Sequence, residues 1–256
     1  YYSEITKNLN LINKIKNIYI KKFGDPKITI EKNKKLISII IKNFDEKIFF
    51  INSKLDGWDI NVFAYEVNTF KPIQSRIDNN LLTSLITIKD SNIKNLKLYI
   101  DGGQHEDSLN IISSFGSIDR IEIKNSFQDA IDFDFSDLKV DEIKVTNSGN
   151  DCVDTSAGKY FIRKLTLDGC KDKGVSVGEE SYFRVLDAEI KNSNIAFVSK
   201  DYSELIVNKA YLEKNSLCAA VYNKKQEFGP SYIAIPNKLC PKEELAIQNN
   251  SILEKK

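Results

Sequence analysis

Between residues 117 and 215 the apolar positions of the chain return on a nearly fixed period. Five segments align, beginning at Ile118, Val140, Ile162, Val185 and Val207, with starts that step by 22, 22, 23 and 22 residues. Those starts form one apolar column. A second is Ile121, Ile143, Leu165, Ala188 and Ala210, and a third is Ile123, Val145, Leu167, Ile190 and Leu212. A fourth column, Asn125, Asn147, Gly169, Asn192 and Lys214, closes each segment with mostly turn-forming residues. A fixed period with columns of like residues is the signature of a solenoid.

A second strand pattern lies between these segments and keeps the same phase. It starts at Asp107, Asp129, Asp151 and Lys173, again 22 residues apart. Alternation predicts Leu109, Ile131, Val153 and Val175 pointing inward, and Asn110, Asp132, Asp154 and Ser176 pointing outward. Two or more short strands per period with no helical stretch between them predict an all-β fold. The expected form is a single-stranded parallel β-helix with coils of about 22 residues. Parallel crossovers are usually right-handed, so a right-handed coil is expected.

The flanks are less regular. Residues 1–23 carry Ile5, Leu9, Ile12, Ile15 and Tyr19 at near-helical spacing, and Gly24-Asp25-Pro26 breaks the pattern. This predicts an N-terminal helical cap or linker over 1–26, covering the open strand edges of a β-helix domain over 27–240. Residues 27–65 read as short, irregular first coils, and 68–80 as an excursion loop around Lys71-Pro72. Pro230, Pro236 and Pro241 mark the exit, leaving 241–256 as a C-terminal cap or tail.

Charge narrows the function. With 37 basic and 36 acidic residues among 256, the net charge of +1 argues against a nucleic-acid or polybasic membrane binder. No apolar run is long enough for a membrane span. Met is absent, which predicts a processed chain or an excised part of a larger multidomain chain. The four cysteines, Cys152, Cys170, Cys218 and Cys240, show no zinc-binding spacing. Buried thiols and one or two disulfides both fit them, which leaves the redox compartment open.

The aspartates carry the candidate chemistry. Asp107, Asp129 and Asp151 share one column with Lys173, and Asp132 and Asp154 share the next. Carboxylates stacked roughly 4.8 Å apart repel one another and call for a cation, a lysine or a raised pKa. Lys200 and Asp201, then Lys224 and Lys225, place cations further along the same groove. Tyr160, Tyr182 and Tyr202 recur near-periodically at the other edge, as sugar platforms or as a stacked turn column.

Residues 128–179 resemble the polygalacturonase-type hydrolases of the right-handed parallel β-helix, or pectin lyase-like, superfamily. The resemblance rests on Phe127-Gln128-Asp129, Gly149-Asn150-Asp151-Cys152 and Asp172-Lys173-Gly174, which fall where that family carries its catalytic motifs. It implies that Asp129 and Asp151 match two of the family's three catalytic aspartates. Asn150 stands for the third and Lys173 for the histidine. One of Asp129 and Asp151 would then protonate the leaving oxygen while the other activates water, in either assignment. The lone histidine, His105, is read as a solvated turn residue or as a substitute base.

Polysaccharide lyases on the same fold suggest a second chemistry. There Ca2+ on Asp129, Asp132, Asp151 and Asp154 would neutralise the ladder, and Lys173, its pKa lowered by nearby cations, would abstract the proton beside a uronate carboxylate. C5-epimerisation begins with the same abstraction. Asp107, Asp132, Asp154, Lys200 and Lys224 are the candidate substrate-binding residues. The expectation is a protein that acts on or binds an extended acidic polysaccharide, in an extracellular, cell-surface or periplasmic place. The alternative is a non-catalytic surface or scaffold solenoid whose aspartates only shape turns.

Overall fold

The computed structural model describes residues 11–15, 17–64, 82–248 and 250–256. Over these the chain forms a parallel β-solenoid of about 9 turns, and its coils lay short strands on three ladders. The first ladder starts at Lys47–Ile51, Ser84–Lys89 and Asp107–Ile112. It continues through the leading residues of Asp129–Ser148 and Val153–Cys170. It ends with Lys173–Gly178, Ile195–Lys200, Leu217–Tyr222 and Leu245–Ile247. The second runs from Lys54–Asp56 to Ile252–Lys255, and the third from Leu36–Ile41 to Ala210–Glu213.

The sequence columns are the ladder registers. Ile118 stands against Val140, Val140 against Ile162, Ile162 against Val185 and Val185 against Val207. Leu109, Ile131, Val153 and Val175 pair in the same way on the first ladder. All of these are buried. Each coil adds one side chain to every internal column, so the core lengthens coil by coil.

Asn125, Asn147, Gly169, Asn192 and Lys214 all adopt left-handed backbone, with φ between 54° and 77°. This is the conformation that Asn and Gly tolerate best. The amides also link neighbouring turns: Asn147 Nδ2 donates to Asn125 Oδ1 at 3.3 Å, and Asn125 Nδ2 to Asp101 Oδ1 at 2.8 Å.

A buried serine column follows the corner between the first and second ladders. The backbone N–H of Ser91 donates to Ser114 Oγ at 3.1 Å, that of Ser114 to Ser136 Oγ at 3.0 Å, and that of Ser181 to Ser203 Oγ at 3.2 Å. Gly158 interrupts it. At φ +98°, a Cβ there would stand 2.2 Å from the Ser136 carbonyl oxygen. The Tyr160 hydroxyl replaces the missing serine, accepting the Ser136 N–H at 3.3 Å and donating to the Phe133 carbonyl at 3.0 Å. Tyr160→Phe leaves that N–H without an acceptor, so it is expected to cost about 1–3 kcal/mol of unfolding free energy. Urea denaturation checks this; an unchanged midpoint would show that the hydroxyl is not needed there.

The N-terminus departs from expectation. Leu11–Ile15 and Ile18–Phe23 are strands, not a helix, and pair antiparallel with each other; Ile18–Phe23 also pairs antiparallel with Lys47–Ile51. The open edge of the first rung needs hydrogen-bond partners, which a strand provides and a helix lying on it does not. Alternating Ile18 and Ile20 supply its buried side. The expected excursion loop at 68–80 and the segment 1–10 lie outside the described residues. At the other end Leu245–Ile247 and Ile252–Lys255 extend the ladders as final rungs.

Cys152 bonds Cys170, and Cys218 bonds Cys240, with Cα separations of 5.4 and 5.6 Å. The second bond ties the stretch after Pro236 to the first ladder. The three tyrosines do not form a column. Lys159, not Tyr160, is the partner of Tyr182, so Tyr160 points inward, buried, while Tyr202 is exposed in a left-handed turn.

Candidate functional site

The outer face of the first ladder holds a polar groove of about 410 Å3. Glu106, Gln128, Asp129, Asn150, Asp151, Asp154, Asp172, Lys173, Lys200 and Lys224 line it. Asp129, Asp151 and Lys173 therefore meet on one surface, as do Asp154, Lys200 and Lys224 among the expected binding residues. Asp107 is buried one coil earlier and Asp132 lies further along its strand, and neither lines the groove. His105 is buried rather than solvated, and is not part of the lining.

Each aspartate is fixed by the coil that follows it. Asp129 Oδ1 accepts Asn150 Nδ2 at 2.7 Å and the Asp151 N–H at 2.8 Å. Asp151 Oδ1 accepts the Lys173 N–H at 2.9 Å and Lys173 Nζ at 3.3 Å. Lys173 also pairs closely with Asp172. Lys200, nearly buried, reaches Ser176 Oγ at 2.8 Å and Asp154 Oδ1 at 3.4 Å. Gly178 clears its path, since a Cβ there would stand 2.7 Å from Lys200 Cε. Asp201 anchors the next loop by accepting the N–H groups of Lys224 and Lys225 at 2.6 and 2.7 Å. The exposed Lys224 ammonium has no carboxylate partner among the described residues.

The two aspartates differ in protonation. Burial, and then repulsion from Asp151, push Asp129 up to about 8, against the Asp151 N–H bond that favours the anion. Burial pushes Asp151 to about 6, and the Lys173 ammonium opposes a larger rise. At neutral pH Asp129 holds its proton and Asp151 is mostly ionised.

Lys173 departs from the expected base. Burial pulls its pKa down, but Asp151 and Asp172 outweigh burial and hold it above the usual lysine range. Lys200 is raised in the same way, by Asp154, Asp151 and Glu179 against burial. Both lysines are ammonium ions paired to carboxylates.

Of the expected calcium donors, Asp151 and Asp154 face Lys173 and Lys200, Asp129 lines the same groove, and Asp132, outside the lining, accepts Asn110 Nδ2 at 3.1 Å. Lysines balance part of the ladder, and burial with the neighbouring carboxylates raises the pKa of Asp129 and Asp132.

Three features had a weaker sequence signal. Glu106, Gln128, Asn150 and Asp172 repeat at 22 residues one place before the aspartate column, so their shared wall was readable from spacing. Glu179, whose carboxylate takes Ser156 Oγ at 2.7 Å and Lys225 Nζ at 2.6 Å, has an acidic counterpart 22 residues on in Asp201 but none on the preceding coil, where Ala157 stands. Tyr222, near Lys173 and Lys200, had no periodic counterpart. Comparison with family models, with curated proteins and with solved structures gave no match to this chain.

Proposed function

We propose that the groove hydrolyses glycosidic bonds in an extended acidic polysaccharide. Asp129 donates its proton to the leaving oxygen as the bond from that oxygen to the anomeric carbon breaks. Asp151 takes a proton from the water whose oxygen bonds to that carbon. The observation that carries this reading is the pair of adjacent carboxyls in one groove whose environments push their protonation apart, to about 8 and about 6. Lys224 is placed to meet an anionic group on the sugar. Lyase or epimerase chemistry has less support, because Lys173 is held as an ammonium rather than as a free base. The two disulfides favour an extracellular, cell-surface or periplasmic place.

A second reading rests on one observation. Asp129 and Asp151 each accept a backbone N–H from the next coil, as purely structural turn residues would. In that reading the groove binds glycan without turning it over.

The test is release of reducing ends from polygalacturonate, alginate and hyaluronan, with absorbance of unsaturated uronate followed in parallel. Hydrolysis is expected to be fastest between pH about 6 and about 8, where Asp151 is ionised and Asp129 protonated. New reducing ends accompanied by unsaturated uronate would mean elimination instead. Binding with no new ends would leave the second reading.

A further inference from the structure

A second groove, of about 780 Å3, follows the bend between the second and third ladders, away from the polar groove. Its floor is apolar and runs across three coils as Ile118, Val140 and Ile162. Phe161 and Leu186 rise from its walls and are 41% and 46% exposed, an unusual expense of apolar surface for a strand face. An adjoining groove of about 560 Å3 shares Ser117, Lys139 and Phe161 and adds Lys94 and Lys159.

The charges of this surface are unequal in number and in freedom. Lys94, Lys139, Lys159, Arg163 and Arg184 face Asp119, Asp137 and Asp141. Asp141 is already held by Arg163, and Asp119 accepts Asn95 Nδ2 at 2.9 Å. Lys94, Lys139 and Lys159 are exposed and form no ion pair among the described residues, with the exposed Asp137 opposite Lys159 on the neighbouring coil. Arg184 donates to the neutral Asn208 at 3.0 Å and has no carboxylate partner among the described residues. The surface therefore offers unpaired cations beside apolar rings, which suits an anionic ligand.

Register gives the spacing. Ser117, Lys139, Phe161 and Arg184 stand directly above one another on successive coils. Lys139 and Arg184 are thus two coils apart, about 10 Å at the usual strand spacing, with the Phe161 ring between them. That separation is comparable to a disaccharide unit of an extended glycan. Anionic groups on alternate sugars would meet the two cations while the apolar face of the intervening ring lies on Phe161.

We infer that this bend is a second, non-catalytic site for an extended anionic polysaccharide, lying along the solenoid axis and held by Lys139, Phe161 and Arg184. It shares a ligand class with the proposed hydrolytic groove but stands on different residues, so it holds or fails independently of turnover.

The test is binding of hyaluronan, polygalacturonate and neutral dextran by calorimetry, using the whole chain with Asp129→Asn so that no turnover intervenes. The two acidic polymers are expected to bind and dextran is not. Lys139→Glu combined with Arg184→Glu is expected to weaken acidic binding about tenfold or more through loss of two exposed ionic contacts. Phe161→Ala should weaken it without changing its salt dependence. Lys224→Ala, in the other groove, should leave this site's affinity intact. Unchanged affinity in the double variant, binding of dextran equal to that of the acidic polymers, or no acidic binding at all would overturn the inference. Absence of turnover in the parent chain with this binding present would count against the hydrolytic reading alone.

Discussion

The Asp129→Asn variant is expected to hydrolyse acidic polysaccharide about 10²–10⁴-fold more slowly than the parent chain, the usual contribution of a positioned proton donor. The substitution suits the question because it leaves the local scaffold in place. An asparagine Oδ1 still accepts the Asp151 N–H and Asn150 Nδ2, the two bonds that seat the carboxyl. What it removes is the transferable proton. Asp151→Asn should remove the base and leave the donor, so it too should slow turnover by about 10²–10⁴-fold. If both variants keep parental rates, the two carboxyls are turn residues and the groove does something else.

The same variant has a stability signature that does not depend on knowing the sugar. The Asp129 carboxyl sits near 3.8 when unperturbed and at about 8 in the folded chain. Between those values the folded chain binds the proton more tightly than the unfolded chain does. Stability therefore falls as pH rises: the benefit of the neutral form is complete below the unfolded pKa and is lost on passing through about 8. Asp151, at about 6, adds a similar but shorter slope at the acid end. Each proton contributes at most about 1.4 kcal/mol per pH unit. Asp129→Asn should flatten the upper part of this dependence and make the variant the more stable protein at alkaline pH. Urea midpoints at about pH 5, 7 and 9 test this. A variant that parallels its parent across that range would place the proton elsewhere and undo the donor assignment.

The parts of this molecule that were readable from sequence are those in which one coil repeats another. Ile118, Val140, Ile162, Val185 and Val207 could be recognised as one column because every coil imposes the same volume at that place, and the register is as the spacing predicts. Asn125, Asn147 and Asn192 marked a left-handed turn because that backbone selects few residue types. The opposite corner gave no such mark. Asp90, Ser113, Phe135, Ala157 and Glu179 all turn left-handed there, with φ between 48° and 56°, yet share no chemistry. The serine column beside them, Ser91, Ser114, Ser136, Ser181 and Ser203, did repeat and could have located the corner, but a gap at Gly158 hides its continuity. The N-terminal strands were obscured by isoleucines whose spacing satisfies a helix as well as a strand. At the site, spacing brought Asp129, Asp151 and Lys173 together correctly. It gave no access to the burial that separates the two carboxyl pKa values, or to the paired carboxylates that hold Lys173 charged.

Phe133 and Phe135 test how far alternation can be trusted. They share one parity in the same strand, so strict alternation would send both inward. Phe133 is completely buried, with its ring centroid 5.4 Å from that of Tyr160 and its carbonyl taking the Tyr160 hydroxyl. Phe135 sits two residues on at φ 50°, where the left-handed turn swings it out to 67% exposure. Phe133→Ala is expected to cost about 3–5 kcal/mol, because the stacked coils on either side cannot collapse into the space without losing ladder hydrogen bonds. Phe135→Ala should change stability by no more than about 0.5 kcal/mol. Solenoids can unfold in parts, so urea midpoints should be accompanied by amide exchange, coil by coil. Phe133→Ala should speed exchange in the coils of Asp107–Ile112 and Val153–Cys170 on either side of it, and Phe135→Ala should not. Equal penalties from the two substitutions would mean that the corner at Phe135 is packed inward, and that the second left-handed column does not turn the chain as described.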